Sequence, residues 1–195
     1  MIDFDEIKLK LQSSLSPKRF LHTLGVVETA EKLAEIHNVD KEKAVISAFL
    51  HDCAKDIPES MQIRFCKEFH IRLDEFMKKN IALCHSFLGA EIAKREYGIK
   101  DEEILNAIRF HTTGRKNMTK LEKLIYLADY IEPNRKYFEG LKTAREYAKK
   151  DLDKAMILVL TNTIEYIKKK NGILHPLTLE ALEYLKSEKG EFVNW

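Results

Sequence analysis

The sequence predicts a single all-α domain, and three observations lead to that prediction. Only seven glycines and four prolines interrupt 195 residues, so long helices are expected. Apolar residues recur at steps of three and four, the period of an amphipathic helix, and no alternating strand pattern of useful length occurs. The clearest example is the series Leu21, Leu24, Val27, Ala30, Leu33 and Ala34.

The first predicted helices already carry polar residues in apolar surroundings. His22 shares a helical stripe with Val26 and Ala30, so its side chain should face the core or its edge. The stretch from residue 44 to residue 50 is apolar on nearly every side, which indicates a buried helix that ends near His51 and Asp52. Pro58 would stop any continuation of that helix.

Further helices are predicted over the remaining chain, at about 60–79, 86–97, 101–111, 119–132, 141–149, 151–170 and 176–187. Asp40 and Asp101 are suitable N-caps, because acidic residues follow each of them in the first turn. Gly98 and Gly172 suit C-cap positions, and Pro176 suits the start of the last helix.

Composition excludes several classes of protein. The net charge of +2 argues against a generally cationic nucleic-acid-binding protein, so any phosphate-binding charge must be local. Three cysteines without C-x-x-C spacing fit reduced thiols, and neither a signal segment nor a membrane-spanning run is present in the sequence, so we expect a cytoplasmic protein. The apolar residues 192–195 would pack on the body of the protein or on a partner, such as the second copy in a homodimer.

Four residues suggest a metal site: His22, the adjacent pair His51 and Asp52, and Asp129. Asp129 stands alone in an apolar run, where an unpaired carboxylate costs on the order of several kcal/mol unless a cation neutralises it. Two histidines and two carboxylates form the ligand set of a hydrolytic metal centre, whereas structural zinc is usually held by cysteines. The alternative is a buried His–Asp hydrogen-bond network without a metal.

Candidate phosphate-binding residues surround these four. Between residues 104 and 121 there are four basic side chains and no acidic one, and the segment includes His111, Thr112 and Thr113. Arginine, such as Arg115, matches phosphate oxygens, and threonine hydroxyls add donors. The alternative is a solvated charged face. Lys55 lies one turn beyond His51, and the other candidates are Arg19 and Arg135.

These residues and the segments around them resemble a known protein family. His22, the His51-Asp52 pair and Asp129, in that order, are similar to the ligands of the HD-domain metal-dependent phosphohydrolases. Three segments, at 50–55, 107–115 and 127–135 (LHDCAK, AIRFHTTGR and LADYIEPNR), resemble the YqeK family of bacterial HD proteins. The similarity runs from about Ser16 to about Leu182. It implies an all-α bundle of the HD-domain type that forms one domain over residues 1–195.

The resemblance also implies a function and a cofactor. Members of that family cleave diadenosine tetraphosphate symmetrically into two ADP. Iron is the implied metal, with His22, His51, Asp52 and Asp129 as ligands, although ligand chemistry alone leaves manganese and zinc open. Gly172, Ile173 and His175 match the family pattern in a loop that lines the nucleotide pocket, and the product there would be ADP or GDP.

The roles of His85 and His111 stay open at this stage. Certain HD proteins bind a second metal with histidines in this region, bridged by the aspartate of the pair, and two ions would clamp both reacting oxygens. The alternative is that His85 and His111 contact phosphate directly or donate protons. The catalytic candidates are therefore Asp52, Lys55, His85 and His111, and the iron would number one or two ions.

The resulting hypothesis is hydrolysis of a dinucleoside polyphosphate by a metal-activated water. The first alternative is another HD activity, such as a nucleotidase or a cyclic-nucleotide phosphodiesterase, which the metal motif cannot distinguish. The second is a non-catalytic purine-nucleotide sensor, against which the intact ligand set argues. The third, an RNA-binding helical protein, fits the basic segment at 104–121 but not the near-neutral charge.

Overall fold

The structure is a computed structural model that describes residues 4–190. Within this range the chain forms eleven α-helices and no strand. They are α1 (Phe4–Ser14), α2 (Pro17–His37), α3 (Lys41–Leu50), α4 (Glu59–Glu68), α5 (Glu75–Lys79), α6 (Cys84–Glu96), α7 (Glu102–Phe110), α8 (Lys120–Ile131), α9 (Leu141–Ala148), α10 (Leu152–Lys169) and α11 (Pro176–Glu188). The predicted all-α fold class is confirmed.

The centre of the bundle is built from α2, α3, α7 and α8. Helix α2 packs along α3 and α8, α3 also packs against α7 and α8, and α6 covers α7 from the other side. The predicted inward stripe of α2 is confirmed, since His22, Val26 and Ala30 are all buried. Because the residues of α3 from Ala44 to Leu50 are mostly buried, the end of this helix lies deep in the bundle.

Helix boundaries follow the predicted caps in most places. Asp40 accepts a hydrogen bond from the backbone N–H of Lys43, and Asp101 accepts from those of Glu103 and Ile104. These side chains satisfy N–H groups that a helix start otherwise leaves unpaired. Gly98 has a positive φ of 68° after α6, as a C-cap glycine does.

Three predictions about elements were wrong or incomplete. The single helix expected over 60–79 is two helices, α4 and α5, because the chain turns at His70, which has a φ of 56°. After α10 the left-handed position belongs to Asn171 and not to Gly172. Helix α1 was not predicted, and it buries Ile7 and Leu11.

The last three helices form one side of the bundle, with α10 packed against α8, α9 and α11. In the described range no helix is long and apolar enough to span a membrane. Residues 192–195, for which packing on the body or on a partner was considered, lie outside the described residues.

Candidate metal centre

Four histidines from four different parts of the chain meet at one point in the bundle. His22 lies on α2, His51 follows α3, His85 is in the first turn of α6, and His111 follows α7. All four are buried, with between 0% and 9% of each residue exposed. The Nε2 atoms of His22 and His51 lie 3.3 Å apart, and so do those of His85 and His111. The structure therefore brings together the two histidines predicted as metal ligands and the two catalytic candidates, whereas His175 lies outside this cluster.

The outer nitrogen of each ring has a fixed partner, which leaves the inner nitrogen free to act as a ligand. Nδ1 of His51 donates to the carbonyl of Ala48 at 2.7 Å, and Nδ1 of His111 donates to that of Ile108 at 2.7 Å. Nδ1 of His85 lies against the carbonyl of Ala82. Because a carbonyl only accepts, each Nδ1 must carry the proton, and each Nε2 lone pair faces the cluster.

His22 differs from the other three because its Nδ1 donates to a carboxylate. Oε1 of Glu132 lies 3.2 Å from Nδ1, and the Glu132 side chain is only 3% exposed. Gly25 makes room for this carboxylate, since a Cβ at residue 25 would lie 2.5 Å from Oε2 of Glu132. Such a carboxylate orients the ring and increases its basicity toward a metal. The sequence motif contained Glu132, but no role was predicted for it; its place three residues after Asp129 was the available signal.

Asp52 lies between the two pairs of histidines and presents one oxygen to each. Oδ2 is 3.7 Å from Nε2 of His22 and 3.5 Å from that of His51. Oδ1 is 3.1 Å from Nε2 of His85 and 3.5 Å from that of His111. A carboxylate with this arrangement can bridge two cations, one on each side.

The protonation states of the site suit cation binding. Burial acts to raise the pKa of Asp52, but His51, His111 and His85 outweigh it and hold the pKa well below its ordinary value. Burial lowers the pKa of His85 to about 4 although Asp52 acts in the opposite direction. At neutral pH Asp52 is therefore a carboxylate and His85 a neutral imidazole with a free lone pair.

Asp129 completes the His22 side of the cluster. Its Oδ1 lies 3.1 Å from Nε2 of His22 and 2.6 Å from the guanidinium of Arg135. Burial acts to raise the pKa of Asp129, but His22, His51 and Arg135 hold it well below its ordinary value. The predicted need for a cation beside this carboxylate is therefore met in part by Arg135.

Three further cationic or polar candidates lie at the centre. The Arg19 guanidinium contacts Oδ2 of Asp52 at 2.6 Å, and Nζ of Lys55 lies 3.3 Å from His85. The hydroxyl of Thr112 is within 3.4 Å of the Nε2 atoms of both His85 and His111. Arg19, on the His22 side, and Lys55 and Thr112, on the His85 side, are thus placed to contact a phosphate chain lying across the cluster.

The remaining candidates of the 104–121 segment are engaged elsewhere. Thr113 is buried and donates to the carbonyl of Gly114 at 2.9 Å. Arg115 forms two hydrogen bonds with Glu122, at 2.9 and 2.6 Å, and Glu122 was not considered in the sequence because it lies just beyond the basic run. Arg109 contacts Asn106, and Lys116 lies over the ring of Tyr184. Arg109, Arg115 and Lys116 thus each have a contact with another side chain of the protein.

Arg115→Ala is expected to lower the free energy of unfolding by about 2 to 3 kcal/mol, because it leaves the buried carboxylate of Glu122 without its partner. The Glu122 side chain is 1% exposed and that of Arg115 is 30% exposed. Chemical denaturation of the variant measures the change, and Arg115→Ala/Glu122→Gln should recover part of it. A variant of unchanged stability with a raised KM would instead assign Arg115 to phosphate binding.

The loop that precedes α11 has structural contacts of its own. His175 caps α11 by accepting from the backbone N–H of Leu177, and its Nε2 donates to Asp74 at 2.8 Å. Gly172 donates its N–H to the carbonyl of Ile167 at 2.9 Å as α10 ends. Both nitrogens of His175 are therefore engaged, and a nucleotide contact by Gly172, Ile173 or His175 stays a prediction.

The donor set fits divalent metal ions at two neighbouring positions. Ligand atoms of His22, His51 and Asp129 lie within 4.8 Å of one another, as do those of His51, Asp52 and His111. Imidazole nitrogens and carboxylate oxygens suit iron, zinc and manganese, and no cysteine takes part. The predicted four-residue set is therefore assembled, and His85 and His111 extend it.

Comparison with known proteins agrees with this geometry. The family model described as the HD domain matches residues 19–134. The chain is 43% identical to the symmetrical bis(5'-nucleosyl)-tetraphosphatase of Halalkalibacterium halodurans, over 90% of this chain and 92% of that protein. It is 42% identical to the protein of the same name from Bacillus subtilis, over 91% and 94% of the two chains.

A solved structure is similar as well. The crystal structure of a predicted HD superfamily hydrolase involved in NAD metabolism from Clostridium acetobutylicum has a TM-score of 0.92 and 46% identity. The similarity covers 96% of this chain and 99% of that one. Together with the four histidines gathered around Asp52, these matches show that the chain belongs to the HD domain family.

Proposed function

We propose that this protein is a metal-dependent phosphohydrolase that cleaves diadenosine tetraphosphate between its two central phosphates to give two ADP. The observation that supports this most strongly is the position of Asp52 between two pairs of imidazole nitrogens, beside Arg19 and Lys55. The choice of substrate follows two relatives that match over nearly their full lengths. Both are named symmetrical bis(5'-nucleosyl)-tetraphosphatase.

The residues of this centre would hold two metal ions, with iron as the preferred metal. His22, His51 and Asp129 would hold one ion, His85 and His111 would hold the second, and Asp52, which lies between the two groups, would be a ligand of both. When bound, such ions lower the pKa of a water molecule and polarise a phosphoryl oxygen. Glu132 would keep the ring of His22 in the orientation that this requires.

The protein's own residues position the substrate and balance its charge. Arg19, Lys55 and Arg135 surround the cluster and would bind the phosphate oxygens on either side of the bond that breaks. The hydroxyl of Thr112 would donate a hydrogen bond to a phosphate oxygen beside His85 and His111. Arg19 and Arg135 now contact the carboxylates of Asp52 and Asp129, and they would turn toward the phosphate oxygens when cations occupy the centre, where they would stabilise the developing negative charge.

The bonds of the reaction balance as a simple hydrolysis. The water oxygen bonds to one central phosphorus and loses a proton to solvent, the bond from that phosphorus to the central bridging oxygen breaks, and the bridging oxygen leaves as an anion on the other ADP. Because ADP is a good leaving group as an anion, the cations around it matter more than a strong proton donor. We therefore propose Asp52, Lys55, His85 and His111 as the catalytic residues.

Product analysis tests this proposal directly. The protein is loaded anaerobically with iron, incubated with diadenosine tetraphosphate, and its products are separated by ion-exchange chromatography. We expect ADP alone, with little turnover of AMP, a cyclic dinucleotide or NAD in parallel incubations. AMP plus ATP would overturn the symmetrical cleavage, and turnover of a mononucleotide or NAD in its place would assign a different HD activity. Tight binding of ADP without turnover would favour the nucleotide sensor.

A further inference from the structure

A cavity of about 630 Å³ opens beside the candidate metal centre, on the side of His22. Arg19 and His22 line it from α2, and Glu132 and Arg135 line it from the end of α8 and the loop after it. His85, Lys55 and Thr112, which lie on the other side of Asp52, are not part of its wall. The cavity is large enough for a nucleotide-sized ligand, since small-molecule pockets measure roughly 300 to 1,000 Å³.

The wall of this cavity carries an excess of positive charge. Four cationic side chains line it: Lys18, Arg19, Arg135 and Lys136. Its two carboxylates are already engaged, because Asp56 accepts from the backbone N–H of Ser16 at 2.8 Å and Glu132 contacts His22. The first turn of α2 also borders the cavity, and the N-terminal end of a long helix favours an anion.

Two of these cations have no assigned role in the cluster itself. Lys18 and Lys136 are exposed, and neither has an ion-pair partner among the described residues. Arg19 and Arg135, in contrast, reach inward to Asp52 and Asp129. The cationic residues therefore form a path that leads from the metal centre outward to Lys18 and Lys136.

The outer part of the cavity also offers apolar surface. Leu21 lines it and is 54% exposed, which is unusual for a leucine on a core helix. Phe138 lines it as well, half-buried, with its ring edge-to-face against Tyr130 at a centroid distance of 5.2 Å. Base and ribose need such apolar contact, whereas a free phosphate does not.

We propose that this cavity is the binding subsite for the second nucleoside diphosphate half of the substrate. The inference rests on the proposed function. A tetraphosphate centred on Asp52 would place one half beside Lys55 and Thr112, and the other half would enter this cavity. Lys18 and Lys136 bind the phosphate of that half that is next to the ribose, and Leu21 and Phe138 contact its nucleoside.

Binding of a non-hydrolysable substrate analogue tests the subsite separately from turnover. The probe is diadenosine tetraphosphate with a methylene group in place of the central bridging oxygen, and ADP is the one-half reference ligand. The cavity variants are the double variant Lys18→Ala/Lys136→Ala and the single variant Leu21→Ser, and all three positions are exposed. The matched control is Lys142→Ala, because Lys142 is exposed and does not line the cavity. Calorimetry on the metal-loaded protein gives each Kd.

We expect the double variant to weaken binding of the analogue by about ten-fold or more, and Leu21→Ser by about five-fold. ADP, which can bind the opposite half alone, should change by less than about two-fold in the same variants. Equal analogue affinities in the two cavity variants and the control would overturn the subsite, as would an analogue that binds the unaltered protein no better than ADP. Turnover of diadenosine tetraphosphate by the unaltered protein, measured in parallel, reports separately on the proposed function.

Discussion

Asp52→Asn is expected to lower turnover of diadenosine tetraphosphate by at least about 10³-fold and to reduce the bound metal from two ions to one or none. The reason is geometric. Asp52 directs Oδ2 toward His22 and His51 and Oδ1 toward His85 and His111. An amide of the same shape offers one uncharged oxygen, which is a weak metal ligand, and a nitrogen that cannot bind a cation. The variant side chain could therefore not be a ligand of both proposed ions.

The measurement combines steady-state kinetics with metal analysis of the purified variant. Asp40→Asn is the matched control, because Asp40 is an exposed N-cap and asparagine caps a helix equally well. Thermal unfolding monitored by circular dichroism should show that the fold survives both changes. A variant of Asp52 that keeps the turnover of the unaltered protein would end the metal-centred mechanism.

His111→Ala is expected to remove one metal ion and leave the other, with turnover reduced by about 10²-fold or more. The group formed by His22, His51 and Asp129 does not include His111, so its ion should remain. The sequence also allowed His111 to contact phosphate directly. In that case the metal content of the variant would not change and its KM would rise. Metal content thus separates the two roles.

The control for this variant is His70→Asn. His70 is exposed and has a φ of 56°, a conformation that asparagine adopts more readily than most residues. The control variant should keep both metal ions and the turnover of the unaltered protein. Two ions retained by His111→Ala would contradict the proposed second metal position.

The sequence was sufficient to predict the burial of the candidate ligands that lie on or directly after strongly periodic helices. His22 was predicted to face inward from its place on the stripe of α2, and the His51-Asp52 pair from its position after an apolar run. The structure confirms that both are buried beside Asp129. The spacing of apolar residues allowed this prediction, because it indicates which side of a helix faces the core.

What could not be predicted depends on how distant helices pack. The sequence left two roles open for His85 and His111, because their approach to one oxygen of Asp52 depends on how α6 and α7 pack, and nothing in the local sequence specifies that packing. Arg115 looked like a phosphate ligand because its partner Glu122 lies seven residues away across a loop. The break between α4 and α5 contains neither glycine nor proline, and its one signal, the N-cap residue Asp74 followed by Glu75, was not used.

The most direct test of symmetrical hydrolysis at this centre is turnover of diadenosine tetraphosphate in water enriched in ¹⁸O, with the products weighed by mass spectrometry. Attack of water on one central phosphorus predicts that half of the ADP carries one ¹⁸O atom in its terminal phosphate and that the other half carries none. Label recovered in AMP or ATP, or the absence of ¹⁸O from all of the ADP, would contradict it.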